Sequence, residues 1–375
     1  MPWALTLALV ATLAGCDDGG GEGEGTPTDT GAGGTPGMGG SPADLGPPGD
    51  AGVLSCDTPQ PARLGCPAPG TLPFETEASA FDDPGIEEAL AAFPEYKQQN
   101  QDFLGNPDAA QSLVGRMARG RALNARPIPN EFVSLWTWNA TGHFEQLGRQ
   151  RTDGDGRYTF DLSGDDRFGL GTHITYAVLE GDGSCADHLV ASWPAGTQVV
   201  VTDIDETLTT ADAEFLRQIG DPSYDPQLRP GSIELMNAWA EKGYKAIYLT
   251  ARPHDFRVPT RGWLAAHGYP TGPVGTATSL VVGDAAVAYK AAFIGQLVND
   301  LGWSVVAAYG NADSDIQAYA QAGVPKSVTF VVGTLAGEDG TVAIEDGDYS
   351  NHVATYVAAQ PAAVQPFAAD EPFCR

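Results

Sequence analysis

Basic residues are scarce in this chain, and their scarcity argues against one class of partner. The 375 residues include 20 Lys and Arg against 48 Asp and Glu, which gives a formal net charge of -28 at pH 7. Nucleic acids are bound largely through Lys and Arg that neutralise phosphates, and anionic membrane surfaces attract the same residues. We therefore expect neither nucleic-acid binding nor broad adhesion to anionic membranes, although a locally basic pocket is compatible with this composition.

The N-terminus lacks an apolar run long enough to span a bilayer. The run from Ala4 to Ala14 is too short for that, and no Lys or Arg precedes it. It ends in Leu13-Ala14-Gly15-Cys16, which resembles the lipobox of bacterial lipoproteins. The resemblance implies a signal peptide over residues 1–15 and lipidation of Cys16. It also implies export, with a lipid anchor to the periplasmic or cell-surface side of a bacterial membrane.

Large apolar side chains are almost missing from residues 17 to about 55, which consist mainly of Gly, Pro, Thr and Asp. Such a composition cannot build a hydrophobic core. We therefore predict that residues 16–75 form a disordered tether rich in Gly, Pro and Thr.

Cysteine is also rare, with five in the chain. Apart from Cys16, the cysteines are Cys56, Cys66, Cys185 and Cys374. Four cysteines in an exported chain predict two disulfides. Metal binding is less favoured because no Cys-x-x-Cys motif or His pair is present. One arrangement joins Cys56 to Cys66 and Cys185 to Cys374, but three pairings are open at this stage.

Two different patterns of apolar residues occur between residues 80 and 195. Apolar residues at rough helical spacing, followed by a second such stripe over residues 109–123, predict a helical segment over residues 80–125. Apolar and polar residues then alternate in three short runs, separated by turns of Gly and Asp. The runs are residues 132–138, 158–162 and 173–179. Short strands at this spacing predict a small β-sandwich domain over residues 126–195.

From residue 196 onward, predicted strands and helices alternate. Strands are expected at residues 199–202, 245–249, 305–308 and 328–332, and helices at residues 233–242, 257–267 and 285–301. This order predicts an α/β domain over residues 196–375, with a mostly parallel sheet and helices on both of its faces.

Two carboxylates follow the first of these strands. The apolar run Val199–Thr202 ends directly in Asp203-Ile204-Asp205, and open α/β sheets bind ligands just beyond their strand ends. Period-2 geometry would place Asp203 and Asp205 on one side of an ideal strand. Carboxylates so close repel each other unless a cation lies between them, and Mg²⁺ is the natural candidate. The alternative is a strand end followed by an Asp-rich turn.

Further motifs follow in a characteristic order. After Asp203-Ile204-Asp205-Glu206-Thr207 come Thr250, Lys290 and the segment Gly310–Asp315. This order resembles the haloacid dehalogenase superfamily. The resemblance implies a Rossmann-like fold with a minimal cap, and a Mg²⁺-dependent phosphatase.

The same resemblance implies a role for each motif residue. Asp203 would be the nucleophile that forms an aspartyl-phosphate, and Asp205 the general acid and then base. Thr250 would hydrogen-bond a phosphoryl oxygen, and Lys290 would neutralise charge on the transferring group.

The implied metal ligands are Asp203, Asp205 through its backbone carbonyl, Asp315 and Asn311. Thr207 would brace the loop at the substrate, and Asp313 could instead cap the helix that follows.

Four later segments of the sequence narrow the resemblance to one branch of this superfamily. Tyr248–Pro253, Thr260–Leu264, Gly272-Pro273 and Ala308–Tyr319 are similar to the lipin-type phosphatase domain, which also occurs in membrane-associated phosphatidylinositol-transfer proteins. The similarity covers residues 196–335 and implies action on, or recognition of, phosphatidate.

Three functions stay open at this stage. The intact pair Asp203 and Asp205 favours catalysis on phosphatidate or a related phosphomonoester. A non-catalytic phosphatidate-binding module is the first alternative. The second is a non-specific secreted acid phosphatase of class C, because Glu206 stands where lipins usually carry Gly and the Asp-x-Asp-Glu-Thr string resembles that class. The sequence gives no basis for naming a protein partner.

Three arginines lie near the second motif. Arg252, Arg257 and Arg261 could meet a lipid phosphate, and we take Arg252 and Arg261, with Thr207, as the candidate substrate-binding residues. The alternative is that Arg257 and Arg261, spaced four residues apart, form a solvated helical face. The gaps between motifs leave no room for a large cap domain, so an open site is expected.

Overall fold

The computed structural model describes Cys66 and residues 76–77, 80–87, 95–96, 98–121, 124–138, 144–221 and 223–364. The predicted signal peptide, the lipidation site Cys16, the tether other than Cys66, and the cysteines Cys56 and Cys374 lie outside these residues.

The first part of the fold is built from strands. They are β1 Glu95–Tyr96, β2 Phe103–Gly105, β3 Gln111–Arg116, β4 Ala118–Arg121, β5 Asn124–Pro127, β6 Phe132–Trp138, β7 Phe144–Arg151, β8 Arg157–Leu162, β9 Gly171–Leu179 and β10 Ser184–Ser192. Five of them form a sheet in the order β2-β10-β9-β6-β7, while β3 pairs with β8, and β1, β4 and β5 form a third sheet.

A shared core joins the β3–β8 pair to the five-stranded sheet. Strand β8 alternates exposed and buried residues, and it buries Tyr158, Phe160 and Leu162. These side chains pack with Leu113 of β3 and with a set of apolar residues from the five-stranded sheet, namely Val133, Leu135, Ala177, Leu179 and Val190. Two sheets that bury one face each against the other form a sandwich, so the predicted β-sandwich is present.

The predicted helical segment over residues 80–125 is wrong. Within its described part only residues 84–87 are helical, and the others lie in strands β1 to β4, at the start of β5, and in loops. Leu113 and Met117 are both fully buried, and residues four apart share a face in a strand as well as in a helix. Pairing of β3 with β8 decides between the two, because tertiary packing overrides local propensity. The sandwich therefore begins well before residue 126.

The second part of the fold is an all-parallel sheet. Its strands are β11 Gln198–Thr202, β12 Lys245–Pro253, β13 Val274–Ala277, β14 Ser304–Gly310, β15 Thr329–Val332 and β16 Val342–Ile344, in the order β13-β12-β11-β14-β15-β16. Every neighbouring pair is parallel. Val199, Val200 and Val201 are fully buried, as expected for a strand covered on both faces. The predicted mixed α/β fold is confirmed.

Helices connect these strands. They are α1 Ala213–Gly220, α2 Ser232–Glu241, α3 Arg257–Ala266, α4 Asp284–Gly295, α5 Asp313–Gln321 and α6 Ser350–His352. Helices α4 and α6 continue as π-helical turns over Gln296–Asp300 and Val353–Val357. Helix α1 occupies the gap after the first motif, where the sequence left no room for a large cap. Among the described residues, no helix combines the length and hydropathy needed to cross a membrane.

A disulfide ties the chain before the sandwich to strand β10. Cys66 and Cys185 are bonded, with 5.8 Å between their Cα atoms and 119 residues between them in the sequence. This bond contradicts the arrangement that joins Cys56 to Cys66 and Cys185 to Cys374. Sequence proximity is a weak guide to pairing because the entropy of closing a loop grows only slowly with its length.

Buried ion pairs join the sandwich to the α/β part. Arg257 and Arg261 on α3 are 0% and 3% exposed, and they meet Asp102, just before β2, and Asp187 on β10. Asp102 also accepts hydrogen bonds from the backbone N–H groups of Leu189 at 3.0 Å and Val274 at 2.8 Å. One buried cluster therefore involves both parts of the fold.

Candidate functional site

Asp203 lies at the carboxyl end of the central strand β11. Its backbone N–H donates to the carbonyl of Tyr309 at 2.9 Å, which continues the pairing with β14 beyond the strand end. The side chain is 3% exposed. One carboxylate oxygen accepts a hydrogen bond from Lys290 Nζ at 2.7 Å, and the other from Thr207 Oγ1 at 3.1 Å.

Lys290 on α4 joins two carboxylates. Its Nζ donates to Asp203 at 2.7 Å and to Asp315, near the start of α5, at 2.6 Å. The second oxygen of Asp315 accepts the backbone N–H groups of Asn311 and Ala312, both at 3.1 Å. The structure thus brings together Asp203, Lys290 and Asp315, which are separated by 87 and 25 residues in the sequence.

The electrostatics of this cluster favour a bound cation. Burial, together with the charges of Asp315 and Asp205, raises the pKa of Asp203 to about 7 against the opposing effect of Lys290. Burial alone would lower the pKa of Lys290, but the two carboxylates outweigh it and hold that pKa above its ordinary value. One ammonium therefore does not fully neutralise the carboxylates around it.

Asp205, the predicted general acid and base, is held by an ion pair. The Arg252 side chain donates to both of its oxygens, from Nη2 at 2.7 Å and from Nε at 3.0 and 3.2 Å, and Thr250 Oγ1 donates at 3.0 Å. Arg252 is 2% exposed and also donates to Gln218 and Thr260. Arg252 and Thr250 both bind Asp205, so an acid–base role for Asp205 would require it to leave this ion pair.

The loop after Asp205 is cross-linked to the loop after β14. Thr207 Oγ1 lies 3.0 Å from Asn311 Oδ1, and Asn311 Nδ2 donates to the Glu206 carboxylate at 3.3 Å. Glu206 has a φ of 56°, a conformation that costs residues other than Gly about 1 kcal/mol or more. That conformation explains why Gly would suit this position. Here a hydrogen bond from the Glu206 N–H to Thr209 Oγ1 at 2.9 Å stabilises the turn.

Arg229 is a site residue that the sequence reasoning missed. It is buried, and it donates to the backbone carbonyls of Thr207 at 3.1 Å and Glu206 at 2.6 Å. Tyr349 Oη donates to the same Thr207 carbonyl at 3.2 Å from 142 residues away. Both side chains position the loop that follows Asp205. We call it the catalytic loop because it follows the candidate acid and base. A lone Arg and a lone Tyr carry no local pattern, so no signal in the sequence could have found them.

Asp212 is a second residue that was missed. It lies between the catalytic loop and α1, and its pKa is raised by partial burial and by the charges of Asp205 and Asp315. The proximity of this carboxylate adds to the negative charge at the edge of the sheet.

The residues present fit Mg²⁺ in their chemistry. Among the described residues, no group of three or more His, Cys, Asp or Glu is arranged to hold a metal ion. Mg²⁺, however, is usually bound by one or two carboxylates together with water and substrate phosphate. Asp203 and Asp315 supply two buried carboxylates that share a single ammonium. Burial and the neighbouring carboxylates disfavour the charged form of Asp203, and a divalent cation would favour it.

Two sequence expectations about charged residues need correction. Arg257 and Arg261 are neither a solvated helical face nor exposed toward a lipid phosphate, because both are buried against Asp102 and Asp187. Asp313 is the first residue of α5 rather than its cap, and its exposed carboxylate accepts from Gln317 Nε2 at 2.5 Å. The arginines bind the sandwich, and Asp313 is a surface residue.

Asp203 should make stability depend on pH. The pKa of Asp203 is about 7 in the folded state, against an ordinary value of 3.8. Between about pH 4 and pH 7 the folded protein therefore keeps a proton on Asp203, whereas the unfolded chain has lost it. Its contribution to stability therefore falls as pH rises through this window. Asp203→Asn removes that loss, and its stabilising effect should be larger at pH 8 than at pH 5 by roughly 2 kcal/mol.

Denaturant unfolding in chelator at both pH values measures this difference. Asp313→Asn is the matched control, because Asp313 is exposed and the change likewise removes one carboxylate. An equal effect of Asp203→Asn at the two pH values would contradict the prediction.

Comparison with known families assigns both parts of the fold. Residues 200–333 match the family model described as PITM 1-3, LNS2 domain. Residues 200–333 are thus similar to an LNS2 domain. Residues 97–192 match the beta-sandwich domain of the same proteins, and this match includes strands β2 to β5, which the sequence reasoning had placed in a helical segment. Both domains found here thus resemble domains of one group of proteins.

The relatives are much longer than this chain. Mouse membrane-associated phosphatidylinositol transfer protein 3 is 30% identical over 62% of this chain and 23% of its own length. Human membrane-associated phosphatidylinositol transfer protein 2 is 30% identical over 62% of this chain and 16% of its own. Protein retinal degeneration B of Drosophila melanogaster is 29% identical over 65% and 20%. The chain spans less than a quarter of the length of these relatives.

Solved structures add nothing to this assignment. A superoxide reductase from Ignicoccus hospitalis aligns with a TM-score of 0.20 and 14% identity, over 31% of this chain and 94% of that chain. A score this low carries no argument about the LNS2 domain or the sandwich.

Proposed function

We propose that this chain is a Mg²⁺-dependent phosphatase that acts on phosphatidate or a related lipid phosphomonoester. The observation that carries the proposal is the buried cluster of Asp203, Lys290 and Asp315 at the carboxyl edge of a parallel sheet. The LNS2 match and the phosphatidylinositol-transfer relatives support a phospholipid as the ligand. The lipobox at Cys16 supports action at a bacterial membrane surface.

The chemistry follows from the positions of the side chains. Asp203 attacks the phosphorus and forms an aspartyl-phosphate, while Thr207 and Lys290 orient its two oxygens. Lys290 also neutralises charge on the transferring group, because preorganised cations stabilise a phosphoryl transition state. A bound Mg²⁺ would supply further charge neutralisation at Asp203 and Asp315.

Asp205 completes the reaction only after a rearrangement. Once released and protonated from solvent, its carboxyl group gives that proton to the leaving alcohol oxygen as the phosphorus–oxygen bond breaks. The resulting carboxylate then takes a proton from the water that attacks the aspartyl-phosphate and releases inorganic phosphate. For this it must release the ion pair with Arg252 and the hydrogen bond from Thr250. Substrate phosphate is a competing anion for Arg252 and Thr250, so its binding would free Asp205 at the moment when the acid is needed.

The same ion pair favours a second candidate function. A domain that keeps Asp205 bound to Arg252 would recognise phosphatidate without turning it over. The relatives named as transfer proteins are consistent with such a binding module.

Phosphate release by the full chain tests these functions. We would compare phosphatidate in mixed micelles with a small aryl phosphate, in Mg²⁺ and in chelator. The phosphatase proposal expects Mg²⁺-dependent release with a preference for phosphatidate. Preference for the aryl phosphate would favour a class C acid phosphatase. Phosphatidate binding without release would favour the binding module and exclude the enzyme.

A further inference from the structure

A cleft of about 710 Å³ lies between the sandwich and the α/β part, within the usual size range of ligand sites. We call it the interdomain cleft. On one side its wall includes Phe103, Leu104 and Val114 of the sandwich, and on the other Val274, Ala292 and Phe293. None of Asp203, Asp205 and Asp315 lines it. It is therefore separate from the residues of the candidate catalytic site.

Three buried polar atoms in the cleft wall have no partner within the described part of the chain. They are His254 Nε2, Asn106 Oδ1 and Tyr289 Oη. His254 is 7% exposed, and its other ring nitrogen is 2.8 Å from Thr276 Oγ1. Burial lowers the pKa of His254 to about 4, so the ring is neutral at pH 7. A buried polar atom without a partner has lost its hydrogen bonds to water, and a polar group of a ligand would replace one of them.

The interdomain cleft itself offers no free charge to a ligand. Among the described residues that line it, none is Lys or Arg. Asp102 is a carboxylate in its wall, but that side chain is buried and paired with Arg257 and Arg261. The cleft therefore suits the apolar part of a ligand.

Basic side chains lie in an adjoining side pocket of about 360 Å³. The two spaces share a wall, which includes His254 and Thr278. The side pocket is also lined by Arg116 and Arg157 and, among the described residues, by no carboxylate. Arg157 Nη1 lies 3.8 Å from Asp155 Oδ2. This ion pair is exposed to solvent, so the attraction between the two side chains is weak. An anionic group could therefore bind at this end.

We propose that the interdomain cleft and its side pocket bind an amphiphile with a long apolar chain and one anionic group, of the fatty-acid class. The apolar chain would fill the cleft, and the anionic group would lie at Arg116 and Arg157. His254 would donate or accept a hydrogen bond between the two ends. This site goes beyond the proposed phosphatase function and does not depend on it.

Binding of a pyrene-labelled long-chain fatty acid tests the site. We would use the full chain carrying Asp203→Asn, in chelator, so that neither turnover nor a metal contributes. The corresponding pyrene-labelled fatty alcohol removes only the charge. The acid should bind more tightly than the alcohol. Arg157→Gln should weaken binding of the acid by roughly two- to fivefold, and leave binding of the alcohol unchanged.

A blocking variant and its matched control test the location. Ala292 is an exposed residue of α4 that lines the cleft, so Ala292→Trp should fill the cleft and weaken binding of both probes about tenfold or more. Ala288 is exposed on the same helix and does not line the cleft, so Ala288→Trp should bind as the parent does. Unfolding midpoints would confirm that both variants are folded.

Several outcomes would overturn the proposal. They are no binding of the acid, unchanged binding in Ala292→Trp, and equal losses in Ala292→Trp and Ala288→Trp. Equal affinity for acid and alcohol would overturn the assignment of an anionic group. Because the assay uses a variant without the proposed nucleophile, failure of the phosphatase proposal would leave the result intact.

Discussion

Phosphate release from phosphatidate should fall by roughly three orders of magnitude or more when Asp203 is replaced by Asn. The amide has nearly the same shape as the carboxylate but cannot act as the nucleophile. Loss of folding would not explain the result, because Asp203 is buried at a cost and the amide removes its charge. The measurement is the initial rate of phosphate release in Mg²⁺, at saturating phosphatidate in mixed micelles.

A matched control separates this effect from a general loss of acidic charge. Asp313 belongs to the same motif region but is exposed at the start of α5. Asp313→Asn should therefore retain the parent rate within about twofold, since surface changes away from a site have small effects. Retention of the parent rate by Asp203→Asn would place the nucleophile elsewhere. Vesicle binding that survives in Asp203→Asn would show that the lipid site itself is intact.

The second large effect concerns the boundary between the two domains. Replacing Arg257 by Met should lower the free energy of unfolding by about 3–5 kcal/mol, because it leaves two buried carboxylates, Asp102 and Asp187, with a single guanidinium between them. Arg257 donates to Asp102 at 2.6 Å and to Asp187 at 3.0 Å, and its side chain is 1% exposed. Denaturant unfolding measures the change. A second transition would indicate that the sandwich and the α/β part had uncoupled.

Arg217→Met provides the matched control for this change. Arg217 makes an ion pair with Glu214 on α1, but its side chain is 58% exposed, so the loss of stability should be much smaller than for Arg257→Met. The double variant Arg257→Met with Asp187→Asn removes one charge of each sign and should recover part of the stability. Similar losses for Arg257→Met and Arg217→Met would show that the buried cluster does not hold the domains together.

Several features of the fold could be predicted because their signals are local. The run Val199–Thr202 reads as a strand buried on both faces, and the structure places it at the centre of the parallel sheet. Parallel strands end at the same edge of the sheet, so the residues that follow different strands lie close together there. Asp203, Lys290 and Asp315 meet at this edge. The order of the motifs along the chain is sufficient to name these three residues.

Other features could not be predicted because the local signal was ambiguous. The spacing of Leu113 and Met117 fits a helix and a strand equally well. Only the pairing of β3 with β8 showed that this segment is extended. Arg252 and Thr250 lie at the strand end where they were expected, but both bind Asp205. The sequence could place them near the site without showing which group they would contact.

The sequence by itself determined the acidic character of the chain, the alternation of strands and helices after residue 196, and the identity of the motif residues. These properties depend on composition and on spacings of a few residues. Only the tertiary structure decided that Arg257 and Arg261 bind the sandwich, that Cys66 pairs with Cys185, and that Arg229 holds the catalytic loop. The partners in these contacts lie between 22 and 159 residues apart in the chain. Such contacts leave no periodic pattern, because they form only when packed elements bring distant side chains together.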